Sequence, residues 1–299
     1  MYRISIFFIS SFLFLQTHIS FAQKNLLKKI IIDAGHGGTD VGARGRYSSE
    51  KEISLAVALK LVTDLQPEMP EVSVIPTRTT DIFHSPPTKA NIANFNKGDL
   101  FVSIHCNAAP PTRHSVVSGY KTEVYYTGKG KKRKKHTRKV PQFRTWTTPN
   151  VARGTETYIW GAHKTGEKEA AMRENESLYL DSATANFVKD FDPNSPEKMI
   201  LYSLKTQQYF GRSANLALTI EQEFVKVGRI SRQAQQRQKG IWVLQAVAMP
   251  SVLIELGFIS NPEEEEYLNS ERGQNEMVQS IIRALKSYRI SLESSGLKK

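Results

Sequence analysis

The sequence predicts an α/β fold: a largely parallel, twisted sheet flanked by helices, forming a single domain with an insertion. Three observations predict it. Ile30-Ile31-Ile32, Leu100-Phe101-Val102 and Val252-Leu253-Ile254 are unbroken apolar runs. A strand exposed on one face would alternate apolar with polar, so these runs read as strands buried on both faces. Segments of helical spacing lie between them, and strands that alternate with helices make parallel sheets. The chain of 299 residues is 39% hydrophobic and 23% charged, enough apolar material for a real core.

Residues 1–22 stand apart. Arg3 precedes the apolar stretch Ile4 to Leu15, and Ser20-Phe21-Ala22 supplies small residues at a cut. This is the pattern of a secretory leader. The run is shorter than the ~20 residues that span a bilayer. The expectation is an exported, periplasmic protein whose domain covers 23–290, with an insertion over 129–210 and a tail over 291–299. No later stretch reads as an integral membrane segment.

After the first strand, Lys51 to Leu65 reads as a helix, with Ile53, Ala56, Leu59 and Val62 in one stripe. Pro67 and Pro70 end it. Val72 to Ile75 is a short strand, Thr77 to Asp81 a polar turn, and Pro87 to Phe95 a second helix. Asp99 to His105 is the next strand, and Gly119 to Tyr126 one near an edge. Lys129 to Lys139 holds eight cations and no acid. It reads first as a solvated loop and second as an attractor for a polyanion. Pro141 to Asn150 reads as a loop and Gly154 to Trp160 as an extended segment. His163 to Asp181 and Glu197 to Val225 read as helices. Gly240 to Leu244 and Ser251 to Glu255 are the last strands. Arg272 to Tyr288 is a closing amphipathic helix with Met277, Ile281, Leu285 and Tyr288 along one stripe. The lone cysteine, Cys106, has no partner for an internal disulfide and reads as a small core residue.

The chemistry sits where apolar runs stop. His36 follows the first strand within Asp33-Ala34-Gly35-His36-Gly37-Gly38, and His105 ends the strand from Leu100. Ligands in open α/β sheets bind at the carboxyl ends of strands, so the two imidazoles can converge. Ser49-Glu50-Lys51-Glu52 lies between them and offers a carboxylate, although acids here also serve helix N-termini. Two imidazoles and a carboxylate with a fourth position open are the ligand set of a catalytic zinc. Glu255 interrupts an apolar run, where an ion is costly to bury. It is either paired with an arginine or aimed at the site as a proton carrier.

Four ordered segments then resemble a known family. Asp33-Ala-Gly-His-Gly-Gly, Glu50-Lys-Glu-Ile-Ser-Leu, Phe101-Val-Ser-Ile-His-Cys-Asn-Ala and Val252-Leu-Ile-Glu-Leu-Gly-Phe-Ile-Ser-Asn look like the signatures of the zinc-dependent N-acetylmuramoyl-L-alanine amidases. The resemblance spans roughly Lys28 to Tyr288. It implies Zn2+ held by His36, Glu50 and His105, with Glu52 the rival ligand, and Glu255 as general base and acid. It also implies peptidoglycan as substrate, cut between N-acetylmuramic acid and L-alanine during wall remodelling or daughter-cell separation. Ala171-Met-Arg-Glu-Asn-Glu resembles the regulatory helix of the cell-division amidases, which makes Glu174 a candidate plug over the zinc and the insertion a target for an activator protein. A zinc carboxypeptidase-like peptidase would use similar residues but needs a cationic pocket. A non-catalytic wall- or polyanion-binding protein is the third reading. The leader opposes nucleic acid as a partner.

Overall fold

The computed structural model describes residues 27–160, 196–237 and 241–296. The expected leader over 1–22, the helix expected from His163 to Asp181 and Glu174 itself lie outside them. The described elements run β1 (Lys29–Ala34), α1 (Glu50–Glu68), β2 (Ser73–Pro76), α2 (Pro86–Phe95), β3 (Leu100–Asn107), β4 (Thr112–Thr127), β5 (Lys134–Thr148), β6 (Thr155–Trp160), α3 (Pro196–Lys226), β7 (Ser231–Arg237), α4 (Trp242–Ala246), β8 (Ser251–Phe258), α5 (Pro262–Asn269) and α6 (Glu271–Gly296).

Six strands form one sheet in the order β2-β1-β3-β8-β6-β7. The neighbours β2, β1, β3 and β8 are parallel, as the unbroken apolar runs imply. Strand β6 joins β8 antiparallel, and β7 joins β6 parallel. Side chains on successive strand residues point to opposite faces, which divides the core in two. Ile30, Ile32, Val102, Ile104, Val252 and Ile254 face the larger half, with Leu61 of α1, Ile220 of α3 and Ile281 of α6. Cys106 is buried there too, as a core residue. Ile31, Phe101 and Leu253 face the smaller half, with Ala90 of α2 and Leu244 of α4. His105 and Glu255 are two residues on from Ser103 and Leu253, so they share that thinner side, where the strand ends open to solvent.

Two local expectations change, and one stretch that carried no expectation forms an element. The segment from Gly240 is not a strand: Trp242–Ala246 is one short helix. Periodicity alone does not separate strand from helix in so short an apolar run, and here Val243 and Leu244 are buried in the smaller core. The polar stretch after Gly228 is a strand, β7, at the sheet's edge. The basic run and the loop expected after it belong to a two-stranded antiparallel ribbon, β4 with β5, separate from the main sheet. Gly128 (φ +83°) and Gly130 (φ +59°) turn the chain at its tip, a backbone region that favours glycine. Pro141 fits because a two-stranded ribbon leaves outward N–H groups unused, and it sits beside the irregularity between Val117 and Gly119.

Candidate metal centre

Residues after β1 fold into a tight loop. His36 adopts φ +55° between glycines, a conformation that costs a non-glycine residue energy and needs support. Support comes from Arg78, which is buried and donates to the carbonyls of Ala34 (3.2 Å), Gly35 (2.8 Å) and Lys51 (2.9 Å). One guanidinium thus ties the histidine loop to the start of α1. Gly35 is required by packing. A Cβ there would lie 2.6 Å from the His105 ring. At Gly42 a Cβ would lie 2.6 Å from both Glu50 Oε2 and the His36 ring.

Asp33, at the end of β1, is fully buried and knits two strands, the turn after β2 and a helix together. It accepts from Thr77 Oγ1 (2.6 Å) and Ser103 Oγ (2.6 Å), and Lys89 Nζ of α2 lies 3.1 Å away. Burial alone would raise its pKa. The Lys89 ammonium and the two hydroxyls outweigh burial and hold the carboxyl below its ordinary range.

Glu50 opens α1 and is completely buried. Its Oε2 accepts from the Ala43 N–H (2.8 Å), and its Oε1 from the Cys106 N–H (3.0 Å). Those bonds fix the carboxylate against both imidazoles: His36 Nε2 lies 3.1 Å from Oε2, and His105 Nδ1 lies 3.0 Å from Oε1. The two rings stand edge to face, with centroids 5.0 Å apart. Asp40 Oδ2 sits 2.9 Å from His36 Nδ1. With that proton donated to Asp40, the Nε2 lone pair faces the cluster, the arrangement that orients metal-ligating histidines.

One donor atom from each of His36, Glu50 and His105 lies within 4.8 Å of the others, and all three residues are buried. Electron-pair donors gathered so closely out of water repel one another unless a cation or proton lies among them. Two imidazoles with one carboxylate suit zinc in a catalytic site. The residues present therefore fit the metal that the motifs imply. Glu52, the rival ligand, is engaged elsewhere. Its Oε2 accepts from the Ser49 N–H (2.9 Å) and Oγ (2.6 Å), closing a capping box on α1. Those bonds, the hydroxyl first, draw its pKa below the usual value.

Glu255 is fully buried on β8, in register with His105 on β3 and with Glu156 on β6. Glu156 was not among the sequence candidates. It accepts from Asn107 Nδ2 (2.7 Å), from the Tyr158 hydroxyl, and from Arg232 Nε (2.5 Å). Alternation along β6 was the one signal available for it. A cleft of about 380 Å³, counted to its open mouth, lies over the cluster between His36, His84, His105 and Trp242.

Glu265, from α5, was also missed. It accepts from the N–H groups of Arg46 (2.8 Å), Tyr47 (2.9 Å) and Ser48 (2.9 Å), and from Ser48 Oγ (2.8 Å). It thereby shapes the loop that delivers Glu50. Burial would raise its pKa, but the four donors outweigh burial and hold it below the ordinary value of 4.5. The stabilisation is present above the unfolded value and is lost as pH falls through the lower folded one. Glu265→Gln is therefore expected to cost about 2–3 kcal/mol at neutral pH, the scale of hydrogen bonds to a charged group. Urea melts at pH 7 and below the folded value check this: the gap between variant and parent should shrink in acid.

Comparisons with known proteins place the chain in a family. The family described as N-acetylmuramoyl-L-alanine amidase matches residues 30–287. The chain belongs to that family. Among individual amidases, it is 29% identical over 262 residues to the N-acetylmuramoyl-L-alanine amidase AmiC of Escherichia coli O6:H1 (strain CFT073), covering 87% of this chain and 52% of AmiC. It therefore spans about half the length of that relative. It is 40% identical over 97 residues to the sporulation-specific N-acetylmuramoyl-L-alanine amidase of Bacillus subtilis (strain 168), covering 32% of this chain and 36% of that one. The crystal structure of an N-acetylmuramoyl-L-alanine amidase from Clostridium difficile 630 superposes with a TM-score of 0.55 at 24% identity, covering 88% of this chain and 96% of that chain. At that identity the likeness speaks for the amidase fold.

Proposed function

We propose that this amidase hydrolyses the amide between N-acetylmuramic acid and L-alanine in peptidoglycan, with zinc at the His36–Glu50–His105 cluster. One observation carries the proposal: the three donors converge within 4.8 Å, and Glu255 lies in register with His105. Family membership supports the substrate class.

Zinc held there supplies Lewis-acid polarisation of the scissile carbonyl and makes water more acidic. The chain's own groups do the rest. Glu255 takes the proton of the attacking water as its oxygen bonds to the carbonyl carbon. It then returns that proton to the alanine nitrogen as the C–N bond breaks. The products are a carboxylate on the muramic lactyl group and a free stem-peptide amine. Asp40 holds the His36 ring, and Arg78 holds its loop.

The leader expected over residues 1–22 is in keeping with a substrate outside the cytoplasm. Among the described residues no helix is long and apolar enough to cross a membrane. The regulatory part of the reading, a plug at Glu174 relieved by an activator, falls on residues outside those described.

Digestion of purified peptidoglycan, followed by mass spectrometry, tests the reaction. Free peptides beginning with L-alanine and uncut glycan chains are expected. Release of single terminal amino acids would assign a carboxypeptidase-like reaction instead.

A further inference from the structure

The β4–β5 ribbon has no role in the cluster described above. It leaves the sheet just beyond His105. At its base the Ala109 N–H donates to Ser260 Oγ (2.9 Å), and Asn150 Nδ2 donates to the Pro110 carbonyl (2.8 Å). From Thr112 to Thr127 and from Lys134 to Thr148 no residue is buried. Sixteen residues at ~3.4 Å each make an arm about 50 Å long. Two-stranded ribbons are marginal in water by themselves, and this one also exposes large side chains: Tyr120 is 66% accessible and Phe143 59%.

Its charge is lopsided. Between Thr112 and Thr148 there are eleven Lys or Arg residues and one acid, Glu123, so the arm carries +10 of the chain's +12. Glu123 is itself taken by Arg138 (2.6 Å). The remainder of the chain is close to neutral, so attraction to anions belongs to the arm.

The distribution of rings and cations narrows the partner. Strand register puts Tyr125 and Trp146 on one face with Arg138 and Arg144, and the guanidiniums lie over those rings at 5.6 and 5.7 Å. The other face carries Tyr120, Tyr126 and Phe143 with Lys135 and Lys139. A membrane-surface element separates an apolar face from a charged one. Here both faces mix the two. Flat rings beside cations on both faces suit a polymer that offers sugar rings and carboxylates together.

We propose that the β4–β5 ribbon is a wall-binding arm that holds peptidoglycan, its glycan rings through exposed aromatic side chains and its stem-peptide carboxylates through the basic tip. The proposal rests on the peptidoglycan reading above and adds a second contact surface, which leaves the chain just after β3, the strand that carries His105. The arm grips the polymer by rings and charge while the cleft takes the bond to be cut.

The test is co-sedimentation of the full chain with purified sacculi freed of protein and accessory polymers. Native sacculi are compared with sacculi whose carboxylates have been amidated, and with vesicles of anionic phospholipid. Binding to native sacculi should fall about tenfold or more on amidation, and by a similar factor when salt rises from about 0.05 to about 0.5 M. The variant Lys131→Gln/Lys132→Gln/Lys134→Gln/Lys135→Gln should lose binding by a comparable factor. Tyr120→Ala/Phe143→Ala should lose it with little change in salt dependence. Unchanged melting temperatures show that the variants fold. Equal binding by parent and both variants, or binding to vesicles in preference to sacculi, overturns the proposal. Cleavage by the parent of a short soluble muramoyl-peptide is measured separately. Its failure would count against the amidase reading and leave the binding result to stand or fall on its own.

Discussion

Glu255→Gln is expected to keep bound zinc at the parent level and lose turnover by about 10²- to 10⁴-fold, the range for removing a general acid–base. The substitution keeps size and shape and takes away only the ability to carry a proton. Glu255 is fully buried, so a shorter replacement such as alanine would add a cavity and confuse the result. Metal content by atomic absorption and kcat on a soluble muramoyl-peptide read the two quantities apart. A rate within a few-fold of the parent would remove Glu255 from the mechanism and turn attention to Glu156, its register partner on β6.

His105→Ala is expected to reduce bound zinc to background, with activity following it. His36→Ala should do the same. The more discriminating pair is Glu50→Ala against Glu52→Ala. The buried Glu50 carboxylate touches both imidazoles, and two backbone N–H groups hold it in place. Its loss should empty the site. Glu52 closes a helix cap and faces away from the cluster. Its loss should cost about 1 kcal/mol of stability, the usual worth of a cap, and leave metal content near normal. Equilibrium dialysis with zinc and a thermal melt distinguish these outcomes. Metal retained by Glu50→Ala and lost by Glu52→Ala would move the ligand two residues along.

The inner sheet and the grouping of His36, Glu50 and His105 were legible in the sequence for one reason: both depend on local pattern. Ile30 to Ile32 and Leu100 to Ile104 announce strands buried on both faces, and His36 and His105 follow at once, so strand ends placed the site. Glu156 and Glu265 were not legible. Their roles depend on partners up to 219 residues away, such as Arg46 for Glu265, and no local pattern records such a pairing. Strand β7 hid for a different reason. It reads Ser-Arg-Gln-Ala-Gln-Gln-Arg, with no apolar alternation. Polar contacts hold its start instead: Glu221 accepts from Ser231 (2.6 Å), Thr155 (2.9 Å) and Thr157 (2.6 Å). The ribbon hid behind its charge. Its first strand was legible in part, since Gly119 to Tyr126 reads as a strand, but Phe143 and Trp146 follow a dense basic run, and such a run is usually solvated loop.

The charged arm has an electrical consequence for the cleft. At physiological ionic strength the field of an exposed charge decays over about 8 Å. An arm about 50 Å long is several such lengths, so the lysines at its tip exert almost no field at His36 or Glu255. The protein is in this sense two separate electrostatic devices on one chain. Raising the ionic strength of the medium should weaken capture of a polymeric substrate and leave the proton chemistry of the cleft untouched. Salt thus becomes a knob that turns one half of the molecule alone.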